Sequence, residues 1–542
     1  MTDAQGEVVL SGLCAADGIA IGQIALETGI DQMARAAGNA DQESAALEGA
    51  IRTARTELEK IVESQDELAA DILEFQLALL EDDDLIDPIF DVIVSGVPAH
   101  VAWQRSLDTE IAEYRGGDDE YMAARAEDLL DLKGRVARLL NAGAQLPKGQ
   151  PANGAIVVAD DLTPSRFLEL DWRRLGGAAS RLGSRTSHVA ILARARGVPL
   201  IVGLVADRHR LTNGLPAVLD AEAGRLVVNP DDATMRAIKN RLEVRQQERQ
   251  AEDAARERPA VTASGQLIQV LINVDDPGVL DEISAEHCDG IGLTRTEFLF
   301  SQGRLPDEET QLAAYSRIVR WASGKPVTIR TLDAGGDKPI AGVTKDGETN
   351  PFLGVRGVRL SLVQRQLFGT QLRALARAAV LGPLKVMVPM VTLPEELDEV
   401  RRIMTSVLKA LKAEGVEHAA PDLGMMVEVP AAALTADRFA ADFYSIGSND
   451  LVQYVTAAAR DNPNLAAIAD PANPAVLELI GRTVTAGRER AVNVSLCGDM
   501  ASEPALLPAL LDCGLRSVSV APAQLGRVKL AISRHTPKRT FT

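Results

Sequence analysis

The chain has 542 residues, 46% of them hydrophobic and 25% charged, and a formal net charge of −19. That length implies two or more domains, each able to bury its own core. The acidic balance repels nucleic acid and anionic lipid, and an aromatic content of 3% leaves little for a base-stacking platform. An anionic substrate would need positive charge gathered locally in a pocket, whereas a basic protein partner would not. The four cysteines, Cys14, Cys288, Cys497 and Cys513, show no CxxC pairing, so neither a disulfide framework nor a zinc site is indicated. The opening residues, MTDAQGEVVL, lack the basic start and apolar core of a signal peptide, and no uncharged run reaches the ~20 residues of a membrane span. The expectation is a cytoplasmic protein with no nucleic-acid partner and no membrane insertion.

The first β-rich stretch, VVLSGLCAADGIAIGQIAL, is punctuated by glycine and reads as short strands joined by turns. From about Asp41 to Leu146 the apolar residues take helical spacing, as in ESAALEGAIRTARTELEKIV and EYMAARAEDLLDLKGRVARLL. This predicts a helical insert at about 30–146, or a free-standing bundle. Strand signals return at GAIVVA (154–159), VPLIVGL, PAVLDA and GRLVVN, with GSRTSHVAILAR (183–194) between the first two. Residues 1–230 thus read as one α/β unit split by a helical excursion. The stretch 232–257 is helical in propensity and almost uniformly polar, which suits a helix between domains or a solvated surface helix. The predicted linker is 231–259.

From 260 to 542 the pattern is regular. Eight β-rich runs recur, most followed by helix-like stretches: 267–274, 290–295, 326–333, 385–391, 423–429, 442–448, 491–498 and 516–522. Eight βα units in that length predict a (β/α)₈ barrel, with a doubly wound sheet as the other solution. In such barrels the active site sits where strands end. Here those ends carry Arg295, Arg330 with Asp333, Glu428, Ser448-Asn449-Asp450 and Cys497, while Arg356 and Arg359 follow a turn and Arg460 lies in AAARDN. Strand ends meet water, so one or two charges there are ordinary, but five convergent ends are not. Several arginines beside two carboxylates suit a phosphate or carboxylate ligand with a divalent metal. Cys497 alone reads equally as a buried small hydrophobe.

GSRTSHVAILAR, GIGLTRTEFLF, TIRTLDAGGDKP, NPFLGVRGVRL, MVEVPAAA, SIGSNDLVQY and SLCGDMA, in this order, resemble Enzyme I of the sugar phosphotransferase system, a phosphoenolpyruvate-utilising enzyme family. The resemblance runs from about residue 10 to 530. It implies an N-terminal swivelling phosphohistidine α/β domain with a helical insert that docks the phosphocarrier HPr, a linker helix, and a C-terminal (β/α)₈ barrel that binds phosphoenolpyruvate. By the match, His188 is the phosphorylated residue and Cys497 the acid that protonates the enolate. Arg295, Arg330, Asn449 and Arg460 take the phosphoenolpyruvate-binding positions, Arg356 lies near the phosphate, and Glu428 and Asp450 are the Mg²⁺ ligands, Asp450 also bordering the substrate. The implied activity is phosphoryl transfer from phosphoenolpyruvate to His188 and then to HPr or an HPr-like protein, with pyruvate released and sugar uptake downstream. A homodimer through the barrel is expected. Thr186 or Ser187 is placed to cap a helix starting at His188, and a helix N-terminus disfavours imidazolium and welcomes phosphate. The acidic LLEDDDLID suits a basic docking partner, or plain solubility.

Several positions depart from the family pattern: Ser180-Arg181 and Gly183-Ser184 upstream of the histidine, Ala459 before Arg460, and Asp499 and Ser502 after the cysteine. These bear on rate and partner choice. A nitrogen-type or fructose-type phosphorelay and a catalytically silent regulator are the alternatives. Retention of His188, Cys497, both acids and the arginines weighs against the last.

Overall fold

The computed structural model describes residues 6–27, 37–62, 67–115, 120–140, 151–205, 211–300, 305–336, 339–345, 347–460 and 462–536. The chain divides into two compact units, Met1–Val244 and Arg245–Thr542.

In the first unit, strands β1 (Val8–Ala16), β2 (Ile19–Glu27), β3 (Ile156–Ala159), β4 (Gly177–Ser180), β5 (Leu200–Val205), β6 (Pro216–Asp220) and β7 (Arg225–Val228) close into a barrel in the order β1-β5-β4-β3-β2-β6-β7. The two-residue alternation of a strand decides what each side chain covers. On β3, Ile156 and Val158 fill the barrel with Ile24, Ile201 and Leu219, while Val157 and Ala159 face outward into a second core. That second core belongs to the helical insert. Helices α1 (Ala40–Val62), α2 (Glu67–Leu80), α3 (Asp83–Val94), α4 (Ala99–Arg115) and α5 (Glu120–Leu140) bury one continuous cluster around Leu47, Leu58, Ile89, Trp103 and Leu129. The predicted helical insert is therefore present and packs directly on the barrel wall. The acidic run LLEDDDLID proves partly local in purpose: Asp82 caps α3 by accepting the Asp84 N–H at 3.0 Å.

Two short helices complete this unit, α6 (Pro164–Glu169) and α7 (His188–Arg196). The long helix α8 (Asp232–Arg256) follows. It is not polar all round, as its composition suggests. Met235, Ile238 and Leu242 form a stripe that packs on Val218 and Val227 of the first unit, and Ile238 is buried. The division between units falls inside this helix, at Val244/Arg245. Its far end is held by the second unit: the buried Lys529 ammonium donates to Arg256 O and Arg258 O, both at 2.9 Å, and to His287 O at 2.6 Å.

In the second unit eight parallel strands close in sequence order: β9 (Leu267–Val274), β10 (Ile291–Thr294), β11 (Val327–Arg330), β12 (Leu384–Val388), β13 (Asp422–Val427), β14 (Phe443–Gly447), β15 (Asn493–Cys497) and β16 (Ser517–Val520). A two-residue strand β8 (Ala260–Val261) adds an antiparallel hairpin to β9. All eight predicted β-rich runs are barrel strands. Their outward residues, such as Val386, Val388, Ile446 and Val518, join the surrounding helices in the largest core of the molecule. Among the described residues no helix is long and apolar enough to cross a membrane.

Candidate functional site

Where the barrel strands finish, Arg295, Arg330, Arg356, Glu428, Asn449, Asp450, Arg460 and Cys497 line a single cavity of about 380 Å³. All eight predicted barrel residues are thus brought together although they span residues 295–497. Arg295 follows β10, Arg330 ends β11, Glu428 follows β13 and Cys497 ends β15, beside Gly447 of β14 in the strand register. Ser448, Asn449 and Asp450 form the first turn of the helix Ser448–Thr456. Arg359, the companion of Arg356 in sequence, turns away instead, to Leu353 O, Gly354 O and Thr392 Oγ1 at 3.1–3.2 Å. Of the loop AGGDK, residues 337–338 lie outside the described residues.

Buried ion pairs hold the arginines. Arg330 Nη1 meets Asp333 Oδ2 at 3.0 Å and its Nη2 meets Glu297 Oε1 at 2.9 Å. Arg356 Nη2 reaches Asp333 Oδ2 at 2.7 Å and Asp450 Oδ2 at 3.3 Å. Glu297 also accepts the Asp333 N–H at 3.0 Å, so it fixes both the arginine and the carboxylate beside it. Burial works against the charge of both guanidiniums, but the surrounding carboxylates outweigh it and raise both pKa values. Arg295 is drawn to Asp275 at 2.9 Å. Asn449 and Asp499 clasp each other: the Asp499 N–H donates to Asn449 Oδ1 at 2.9 Å, and Asn449 Nδ2 donates to Asp499 Oδ2 at 3.3 Å.

The two predicted metal ligands have the environment a cation would relieve. Glu428 is buried and accepts the Met390 N–H at 2.6 Å. Burial, then the charges of Asp450 and Asp333, raise its pKa despite the arginines. Asp450 Oδ1 is buried with no hydrogen-bond partner among the described residues. Those residues contain no cluster of three or more His, Cys, Asp or Glu side chains that could hold a metal alone. Two carboxylates completed by ligand oxygens and water are, however, what Mg²⁺ commonly takes. Cys497 lies under this ring, buried, with Ser445 Oγ 3.6 Å from its sulfur and Ile446 O at 3.5 Å. Burial pushes its thiol up to about 11, so it is protonated at neutral pH.

His188 belongs to the first unit. It is the first residue of α7, and the cap is Ser187, whose Oγ accepts the Ala190 N–H at 3.3 Å. Its Nδ1 lies 3.1 Å from Oδ1 of Asp128, a fully buried carboxylate on α5. Neighbouring Glu127 accepts the His188 backbone N–H, and burial raises its pKa. The departures upstream are accommodated. Gly183 keeps a positive φ of 101°, whereas Ser184 does not need one and accepts the Ser187 hydroxyl through its carbonyl at 3.0 Å. Arg181 pairs with Asp160 at 3.0 Å.

Asp128, Glu127 and Glu297 were not anticipated as site residues. Glu297 stands in the quoted GIGLTRTEFLF, two residues after Arg295, and that adjacency was the available signal. Nothing in sequence links Asp128 to a histidine 60 residues later.

The chain matches three family models: the phosphoenolpyruvate-utilising enzyme N-terminal domain over residues 11–125, the mobile domain over 151–224, and the phosphoenolpyruvate-binding domain over 249–536. It is 37% identical over 549 residues to the phosphoenolpyruvate-protein phosphotransferase of Geobacillus stearothermophilus, covering 98% of this chain and 95% of that one. To the protein of the same name from Haloferax volcanii it is 39% identical over 482 residues, 88% of this chain and 84% of that one. A solution structure of an Enzyme I protein aligns with 44% of this chain and 99% of its own at 29% identity, TM-score 0.37. Matched by all three family models and by such relatives over nearly its whole length, the chain belongs to the phosphoenolpyruvate-protein phosphotransferases of the phosphoenolpyruvate-utilising enzyme family.

Proposed function

We propose that the chain moves the phosphoryl group of phosphoenolpyruvate onto Nε2 of its own His188 and then onto an HPr-like carrier, releasing pyruvate. The observation that carries this reading is one cavity that combines four arginines, two buried carboxylates suited to a cation, and a thiol that is neutral at working pH.

The residues divide the work. Arg295, Arg330, Arg356 and Arg460 bind the phosphate and carboxylate oxygens and spread the charge that moves during transfer. Asn449 orients the substrate from its clasp with Asp499. Four arginines and four acids line the cavity, Asp333, Glu428, Asp450 and Asp499 being the acids, so a substrate with a phosphate and a carboxylate leaves an excess of negative charge. Glu428 and Asp450 would hold Mg²⁺, which when bound supplies the missing positive charge. The P–O bond to the enol oxygen breaks as the His188–phosphorus bond forms. The electron pair stays on the enol oxygen, and Cys497 gives its proton to the terminal carbon to complete pyruvate, regaining one from solvent. Asp128 accepts the Nδ1 proton, which leaves the lone pair on Nε2.

The carrier is a basic protein of the HPr kind, docking on the helical insert. The test uses labelled phosphoenolpyruvate with Mg²⁺ and a panel of general, fructose-type and nitrogen-type carriers. Label is expected on His188 and then on one carrier. The His188→Ala chain folds and takes no label, and labelling of that variant at the normal rate would refute the assignment.

A further inference from the structure

The barrel contains a second cavity, of about 690 Å³, at the opposite end from the first. Its wall is made by the beginnings of the strands, including Gln269 of β9, Lys385 of β12 and Asn493 of β15, and by the turn Gly514–Arg516 before β16. Between the two cavities lies an apolar layer of Leu293, Met387, Met426, Phe443 and Cys497. Strand alternation explains the order: Lys385 and Met387 share the lumen face of β12, and Asn493, Ser495 and Cys497 share that of β15.

The interior of such a barrel is ordinarily filled by branched apolar side chains. Here the lower end is open and cationic. Lys385, Arg488 and Arg516 line it, and no carboxylate does. Asp422, the register partner of Lys385 on β13, is not among the lining residues. In a chain of net charge −19 this is a local inversion. Among the described residues neither Lys385 nor Arg488 has an ion-pair partner. The Lys385 ammonium stands 5.3 Å from the centre of the Phe443 ring, and Arg516 spends one nitrogen on Leu511 O and Leu515 O at 3.0 and 2.7 Å. A half-enclosed ammonium without a counter-charge is unfavourable unless an anion completes it. The remaining polar lining is neutral and includes Gln269, Thr328, Thr485, Asn493, Ser495 and Ser517.

We propose that this cavity binds a phosphorylated sugar or polyol. The cations take the phosphate, the amide and hydroxyl side chains take the hydroxyl groups, and the Phe443 ring borders the carbon chain. The volume far exceeds a bare phosphate, and the neutral lining would serve no purpose toward one. The site is separate from the catalytic cavity, because the apolar layer stands between them.

Calorimetric titration of the full-length His188→Ala chain, with and without saturating phosphoenolpyruvate and Mg²⁺, tests this. The probes are glucose 6-phosphate, glycerol 3-phosphate, inorganic phosphate and free glucose. Expected is binding of the phosphorylated probes that persists with phosphoenolpyruvate present, with glucose 6-phosphate tighter than inorganic phosphate and no binding of glucose. Lys385→Met and Arg488→Gln each weaken it about tenfold or more, the scale of one lost charge-assisted contact. In the His188-containing chain both variants label at the normal rate. Should Lys385→Met fail to fold, Arg488→Gln on the exposed rim carries the comparison. Absence of binding, loss of binding on adding phosphoenolpyruvate, unchanged affinity in a folded variant, or equal affinity for inorganic phosphate would each overturn the proposal.

Discussion

At the scale of the residue, the proposed chemistry rests on Cys497 and His188, and burial sets the protonation of the thiol. Cys497 is pushed up to about 11, so pyruvate formation should show no alkaline fall from this thiol until the pH approaches that value. Cys497→Ser should leave His188 labelling intact while slowing pyruvate release by roughly 10²-fold or more, a common worth of a positioned proton donor. Following label and pyruvate separately in single-turnover mixing measures the split, and a parallel loss of both would deny Cys497 this role. Asp128 touches His188 through Nδ1. Asp128→Asn keeps the shape but weakens the preference for the tautomer with Nε2 free, and self-phosphorylation should slow at least about tenfold. Normal labelling of that variant would mean the imidazole is held by something else. His188 and Cys497 were singled out because the runs GSRTSHVAILAR and SLCGDMA that hold them resemble a known family. Asp128 was not, because a buried acid on an amphipathic helix looks like any other polar position until the helix is packed.

At the scale of the element, the loops after the strands carry the site, and one of them depends on the absence of a side chain. Gly498 has a φ of 98°, and a Cβ there would lie 2.3 Å from Ser448 Oγ and 2.6 Å from Asn449 Oδ1. Gly498→Ala should cost about 1–3 kcal/mol in backbone strain and displace Asn449. Its signature is a raised KM for phosphoenolpyruvate together with a lowered melting temperature, and an unchanged KM would argue against the clasp as a substrate-orienting device. The eight barrel strands were readable because they are short, β-rich and flanked by breakers. β4 was not: GAAS has neither β-branched residues nor alternation, and its four residues are buried strand only because β3 and β5 flank it. The apolar stripe of α8 escaped for a related reason, since three apolar residues in a polar helix gain meaning only against Val218 and Val227.

At the scale of the whole molecule, each unit is tied by buried or half-buried ion pairs that fail in acid. Glu169 of α6 meets Arg135 of α5 at 2.8 Å, and Glu308 meets Arg373 and Arg377 at 2.7 and 2.6 Å. Burial opposes ionisation of both carboxylates, but the arginines prevail and lower both pKa values. Lowered folded-state values mean that the stability is present above the unfolded pKa of about 4.3 and is lost as pH falls through the folded one. Melting temperatures should hold from neutral pH to about 5 and then drop. The three tryptophans report the drop regionally: Trp103 in the insert, Trp172 beside α6 and Trp321 behind the second barrel. A flat profile down to pH 3 would sink the claim. By itself the sequence determined the order of elements, the eight-stranded repeat and the set of strand-end residues, because local periodicity and punctuation are properties of neighbouring residues. The tertiary structure decided which of those ends converge, that Arg359 turns away while Glu297 and Asp128 turn in, and that the first unit closes on itself. Ion pairs, buried acids and barrel closure join residues far apart in the chain, and only packing chooses among the partners the sequence leaves open.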